Sequence, residues 1–358
     1  MSNEFSPLVL AAHATAALPG LEIVGLTEPY DNDGSMARQG IVDAQGKHWV
    51  VCTPLTDQAG ADMQAQVTLL RILHRSFEKG FLPFDAPVPV ANKRGGGDIR
   101  VLVHPEMRGT PGSWEQMDAS SMLTGSMAKA IAALHDLPAE AIEFTGLPVY
   151  TAEEVRERLL FLLDEAVNVA LIPPNLYDRW DDALRDESLF RFEPTPVHGD
   201  LGPDSFLCSA DTVSSVSAFA SAHLGDPAED LGWILSGSKE TRDHFLRVYQ
   251  DSRKDPDLHL AIRAQLWAEL ALLRWLLHGK RIEDNEVIED AKAMLADLAS
   301  EVGDDPLIPG HTSSNEVFEE ADLDEVNRVL PVELDVDPNA PTVNLGQVLN
   351  LDFRRNSE

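Results

Sequence analysis

The sequence predicts an α+β protein with a small antiparallel β lobe, a larger helical lobe and an acidic, mostly disordered tail. Three observations carry that expectation. Short β-type runs separated by turn residues recur up to about residue 103. Apolar residues at helical spacing dominate from about residue 118. The composition then changes at Gly303-Asp304-Asp305-Pro306. The expected divisions are 1–105, 106–302 and 303–358.

Leu21-Glu22-Ile23-Val24, Gly40-Ile41-Val42 and Trp49-Val50-Val51-Cys52 are the first β runs. Asp31-Asn32-Asp33-Gly34 and Asp43-Ala44-Gln45-Gly46 supply turn chemistry between them. A helix follows from about Ala59 to His74, with Val67, Leu70, Ile72 and Leu73 on one broad face. Pro83, Pro87 and Pro89 break the chain before a strand at Ile99–Val103. Gly95-Gly96-Gly97 ahead of that strand is a turn rather than a phosphate loop, because no helix follows it. Ser126–His135 and Ala152–Val167 carry helical spacing, as do two later segments near Leu258–His278 and Asn285–Glu301. Residues 194–231, ahead of those last two, read as strand-poor and rich in Gly, Asp, Pro and Ser. Loops of that kind are where chemistry usually sits.

The 358 residues include 60 Asp and Glu against 28 Lys and Arg, a formal net charge of −32. Such a chain is a poor nucleic-acid binder, because that affinity comes from neutralising phosphates with Lys and Arg. Anionic lipid repels it as well. Two cysteines, Cys52 and Cys208, make neither a disulfide framework nor a four-thiolate zinc site. With no signal peptide and no apolar run of spanning length, a cytoplasmic protein is expected. Residues 303–358 hold thirteen acids against Arg328, Arg354 and Arg355, with no Trp or Tyr. That composition buries too little apolar surface to offset ordering entropy. Val343–Phe353 is its one short apolar run.

The informative segment is Val197-His198-Gly199-Asp200-Leu201-Gly202-Pro203-Asp204-Ser205-Phe206-Leu207. Val216-Ser217-Ala218-Phe219-Ala220 follows, then Leu224-Gly225-Asp226-Pro227-Ala228-Glu229-Asp230-Leu231. Together with the helix ending Ile131-Ala132-Ala133-Leu134-His135, this order resembles the aminoglycoside and macrolide phosphotransferases, relatives of the protein kinases. Their pattern reads H-G-D-L-x-x-x-N, I-D-[FW], G-D-P-x-x-D-L, and the resemblance covers about residues 20–302. It implies a two-lobed protein-kinase-like fold, ATP or GTP with Mg²⁺ as cofactor, and a hydroxylated acceptor.

Phosphoryl transfer needs a carboxylate at the attacking hydroxyl, metal ions on the phosphates and a basic side chain beside them. By the resemblance, Asp200 stands at the catalytic base and His198 at the loop-bracing histidine. The other positions depart from the pattern. Ser205 stands where an asparagine ligand is expected, and Ala218 where the metal-binding aspartate is expected. Alanine offers a metal no lone pair, and Mg²⁺ prefers carboxylate and phosphate oxygens to a serine hydroxyl. Asp204, next to Ser205, is the nearest substitute ligand. Trp49-Val50-Val51-Cys52-Thr53-Pro54 aligns with the strand that carries the phosphate-binding base, so that Cys52 replaces the base. Its glutamate partner is replaced by Gln66, with Gln64 as the alternative register. Lys47 is close in sequence but falls in the turn before the strand.

Several of these residues also have plain structural readings. Asp200 would brace its own loop by accepting main-chain N–H groups, and Asp226 and Asp230 would cap the helix they open. Cys52 reads as a small buried apolar residue with no histidine partner evident in the sequence. Trp267 and Trp275 read as core, on helix faces that could line an acceptor pocket. Two functions follow. One is a degenerate, pseudokinase-like protein that binds a nucleotide, a small hydroxylated and cationic molecule, or a partner protein. The other is an active ATP- or GTP-dependent phosphotransferase that uses Asp200 and a rebuilt metal site.

Overall fold

A computed structural model describes residues 5–29, 36–94, 100–255 and 257–308. Helix α1 (Pro7–Ala17) comes first, followed by strands β1 (Ile23–Pro29), β2 (Met36–Asp43) and β3 (His48–Pro54). Helix α2 (Asp57–Glu78), β4 (Ala91–Arg94) and β5 (Arg100–Pro105) complete the small lobe. The five strands form one antiparallel sheet in the order β1-β2-β3-β5-β4. At the β2–β3 turn the Asp43 carboxylate accepts from the Trp49 indole and from the N–H groups of Gln45 and Lys47. Those bonds, the indole's foremost, hold its pKa below the ordinary carboxylate range. The expected turns at Asp31–Gly34 and Gly95–Gly97 lie outside the described residues.

The two faces of this sheet bury different partners. Ala37, Ile41, Val51, Val101 and Val103 pack against Leu10, Ala11 and Ala14 of α1. Val50, Cys52 and Leu102, with half-buried Met36, pack against Met63 and Val67 of α2. Helix α2 begins where Thr56 accepts from the Ala59 N–H, with Asp57 in its first turn.

A two-residue strand, β6 (Thr110–Pro111), leads into the helical lobe. It contains α3 (Met122–His135), α4 (Glu140–Glu143), α5 (Ala152–Val167) and α6 (Pro174–Arg185). Four short strands follow: β7 (Thr195–Val197), β8 (Phe206–Ser209), β9 (Thr212–Val216) and β10 (His223–Gly225). The segment expected to be strand-poor is thus built on two small sheets, β10-β7 and β6-β8-β9. Helices α7 (Lys239–Ser252), α8 (Leu260–Arg281) and α9 (Asn285–Val302) close the lobe, with α3 against α7 and α8 against α5 and α9. Among the described residues no helix is long and apolar enough to cross a membrane.

The first residues of the acidic segment are not loose. Asn175 Nδ2 donates to Gly303 O, the Arg179 guanidinium donates to Asp305 O, and Leu307 is buried. Most of 303–358, including Val343–Phe353, falls outside the described residues.

Candidate active site

The loop after β7 is held from behind by one carboxylate. Asp230 is 1% exposed and accepts from the His198 N–H at 2.7 Å and the Gly199 N–H at 2.8 Å. His135, at the end of α3, pairs with it through Nε2 at 3.0 Å and reaches the Tyr249 hydroxyl through Nδ1 at 2.7 Å. Asp230 is therefore no helix cap: it ties the loop to α3 and α7. Asp226 accepts from the Ala228 N–H, a local turn bond, but its larger role is an ion pair with Arg263. It also accepts from the Trp267 indole at 2.9 Å.

His198 lies fully buried against the Phe219 ring, with centroids 4.7 Å apart. Its Nε2 sits 2.7 Å from Ser217 O, and Nδ1 accepts from the Asp200 N–H at 3.3 Å. Gly199 adopts φ 80°, and a Cβ there would meet Ser221 O at 2.4 Å. The close approach of Ser221 requires glycine. These contacts present Asp200 at the surface. Among the described residues its carboxylate accepts no hydrogen bond, so the bracing expected of it is done by Asp230 instead.

The residues expected at the metal positions do not form a Mg²⁺ site among the described residues. The Ser205 hydroxyl is buried and accepts from the Gly202 N–H at 3.2 Å, closing its own turn. Asp204 is exposed, with Oδ1 folded back to 2.8 Å from where a Cβ on Gly202 would lie. Ala218 has φ 66° and ψ 37°, left-handed backbone that aspartate and asparagine tolerate better than alanine. The main chain thus keeps a conformation suited to an aspartate while the side chain is a methyl group. Among the described residues no three of His, Cys, Asp and Glu group to hold a metal. Ala218→Gly is expected to stabilise the fold by about 0.5–1 kcal/mol, as relief of the left-handed strain exceeds the entropy glycine adds to the unfolded chain. Denaturant melts of the two proteins check this, and a destabilised variant would show that the methyl group packs usefully.

In the small lobe, Cys52 is buried, as expected, but it has a histidine partner. Its Sγ lies 4.0 Å from His104 Nε2 on the neighbouring strand β5, and His104 Nδ1 is 2.8 Å from Pro105 O. A strand pairing 52 residues away left no mark in the sequence. Burial holds His104 below the ordinary imidazole range, and the Arg38 charge pushes the same way. Gln66 is half-buried on α2, beside the Met63 and Val67 that pack on Cys52. Lys47 is committed elsewhere, its Nζ 4.0 Å from the centre of the Trp49 ring.

Between α5 and α8 opens a pocket of about 540 Å³. Tyr150, Phe161 and Trp267 supply aromatic walls, and Glu154, Glu157 and Glu165 its carboxylates. Glu154 is spent capping Thr151, whereas Glu157 and Glu165 form no ion pair among the described residues. The lining arginines are both engaged: Arg158 lies over Tyr150 at 4.3 Å, and Arg274 over Trp267 at 4.6 Å and against Glu229 at 3.0 Å. Glu229 also pairs with His223 at 3.3 Å, which raises the pKa of His223 against the effect of burial. His223 in turn stands opposite Val197 where β10 pairs with β7, so ion pairs and strand pairing link the pocket wall to the strand that leads into the loop. Of this set the sequence pointed to Trp267 alone. Trp275, its neighbour in that expectation, is partly exposed, stacks on His278 and donates to Asp290.

Comparison with known proteins agrees with this architecture. In structure, the chain resembles macrolide 2′-phosphotransferase MphH from Brachybacterium faecium, with a TM-score of 0.67 at 23% identity, covering 80% of this chain and 96% of that one. The GDP and kanamycin complex of APH(2″)-IIIa gives a TM-score of 0.67 at 21% identity, over 82% of this chain and 99% of the other. These likenesses establish the two-lobed, kinase-like fold. In sequence, an uncharacterized protein of Bacillus subtilis (strain 168), YcbJ, is 23% identical over 156 residues, 39% of this chain. That match spans about half, 51%, of the relative's own length. The model of the phosphotransferase enzyme family (APH) matches residues 32–273, which is more than half of the sequence, and the chain belongs to that family.

Proposed function

We propose that this protein is a catalytically degenerate phosphotransferase that binds a nucleoside triphosphate between its lobes and a cationic, hydroxylated small molecule in the pocket between α5 and α8. The observation that carries the reading is position 218, where a methyl group on left-handed backbone stands in the place of a metal-binding carboxylate. With the Ser205 hydroxyl turned into its own loop, the donor set lacks the oxygens that hold Mg²⁺ on a triphosphate. The acceptor class follows from the pocket. Glu157 and Glu165, the pocket carboxylates that form no ion pair among the described residues, favour a cation on Coulombic grounds. Solved structures of similar fold include complexes with kanamycin and with gentamicin, which supports that class.

A second reading has one observation in its favour. Asp200 is exposed, and among the described residues nothing competes for its carboxylate, so it is placed to take a proton from an incoming hydroxyl. Thermal melting with ATP or GTP, in Mg²⁺ and in chelator, separates the two. The degenerate reading expects stabilisation of about 2.7 kcal/mol at a hundred times the dissociation constant. It expects the same shift in chelator, and no phosphate transfer across a panel of amino sugars. Mg²⁺-dependent turnover that vanishes in Asp200→Asn would establish the second reading and sink the first.

A further inference from the structure

We infer that Arg38 supplies the phosphate-binding cation that position 52 lacks, moved by one strand within the same sheet face. The inference rests on the nucleotide-binding reading above and identifies the group that would meet the phosphates. Strand β2 pairs with β3 in unbroken register from Met36↔Pro54 to Val42↔His48, and Arg38 stands directly opposite Cys52. Residues directly opposite share a face, with Cβ atoms about 5 Å apart. The alternation of β2 fixes which face that is. Ala37 and Ile41 pack toward α1, whereas Met36 joins the Cys52 cluster under the sheet with Met63 and Val67. Arg38 is in step with Met36. It is half-buried, and its charge is felt by His104, the imidazole that faces the Cys52 sulfur.

Chemistry makes the relocation workable. An arginine begins one strand spacing, about 4.8 Å, from the position it would replace, and its side chain is long enough to bridge that offset. Its planar fork suits phosphate oxygens as well as an ammonium does, with two parallel bonds in place of one point charge. It also needs no acidic partner to hold it protonated, because a guanidinium stays charged without one. That agrees with the amide at Gln66 and the apolar pair Met63 and Val67 along the facing helix. Two other cations of the small lobe are engaged elsewhere: Lys47 stacks on Trp49, and Arg100 donates to Gly60 O at the start of α2.

The test is calorimetric binding of ATP and of adenosine to the full chain in chelator, for the wild type, Arg38→Ala, Arg38→Lys and the double variant Arg38→Ala with Cys52→Lys. Arg38→Ala is expected to weaken ATP at least tenfold while adenosine stays within twofold, since the lost contact is to phosphate alone. Arg38→Lys should retain most of the ATP affinity, and Cys52→Lys should recover it in the Arg38→Ala background. Unchanged ATP binding in Arg38→Ala overturns the inference, as does a parallel loss of adenosine, which marks damage to the lobe. Failure of Cys52→Lys to recover binding overturns the claim that both positions serve one phosphate. A wild type that binds adenosine and ATP alike has no phosphate contact to assign to Arg38. A wild type that binds neither defeats the nucleotide reading itself.

Discussion

Arg263→Leu is expected to lower the unfolding free energy by about 3–5 kcal/mol, the range for stranding one charge of a buried pair. Arg263 is 1% exposed and grips Asp226 with Nε at 2.9 Å and Nη2 at 3.0 Å. The same guanidinium bonds Asp257 and Leu189 O, and lies 4.4 Å from the centre of the Phe192 ring. Burial works against its charge, but Asp226 and Asp257 more than offset that effect, and its pKa rises. Leucine removes every one of these donors. Asp226, with no exposed surface, keeps only the Trp267 indole and the Ala228 N–H. Charge rather than volume should then dominate the loss. Arg263→Leu combined with Asp226→Leu should therefore be more stable than the two single losses added together. Urea denaturation of the four proteins gives the coupling. A single-variant loss below about 1 kcal/mol would show that water reaches Asp226 and that the pair is not dry.

That pair also shows where reading the sequence stops. The Gly225-Asp226-Pro227 run marked the place, and its residue types suggested a helix cap, because capping is decided by neighbours along the chain. The partner lies 37 residues on, in the first turn of α8, where an arginine reads as a solvated helix residue until the packing is known. The helices at Ala152–Val167 and Asn285–Val302 were legible to within a residue, because their caps, Thr151 with Glu154 and Asp284, are local devices. Helix α1 was missed because its alanine-rich run has no polar face to set a period, and it is the sheet that stabilises it. The site divided in the same way. Loop residues His198, Gly199 and Asp200 were readable as a motif. The Cys52–His104 contact, the Arg38–Cys52 register and the pocket wall of Glu157, Glu165 and Tyr150 come from tertiary pairing, which leaves no fixed spacing in one sequence.

Asp230→Ala should cost about 3–5 kcal/mol as well, but with a local signature that Arg263→Leu lacks. Two main-chain N–H groups, of His198 and Gly199, lose their acceptor in a dry site, at about 1–3 kcal/mol each, and His135 loses its carboxylate. Amide hydrogen exchange is the fitting measurement: protection at His198 and Gly199 should fall further than in β2 or α9. Equal loss everywhere would mean that the carboxylate supports the lobe in general and not the loop. The same pair sets an acid limit. Burial holds His135 below the ordinary imidazole range, so that in the folded protein it stays neutral between Asp230 and Tyr249. Asp230, despite its burial, is held below the carboxylate range by His135 and by the His198 N–H. Both shifts have one sign. At these two groups the unfolded chain binds protons that the folded chain refuses, so their contribution to stability is full above pH about 6.5 and declines as pH falls below it. His135→Gln should flatten the upper part of that decline, between about pH 6.5 and 5, and leave the carboxylate part below it. If the slope stays unchanged in this variant, another histidine carries the proton and the Asp230–His135–Tyr249 chain does not set the loop's tolerance to acid.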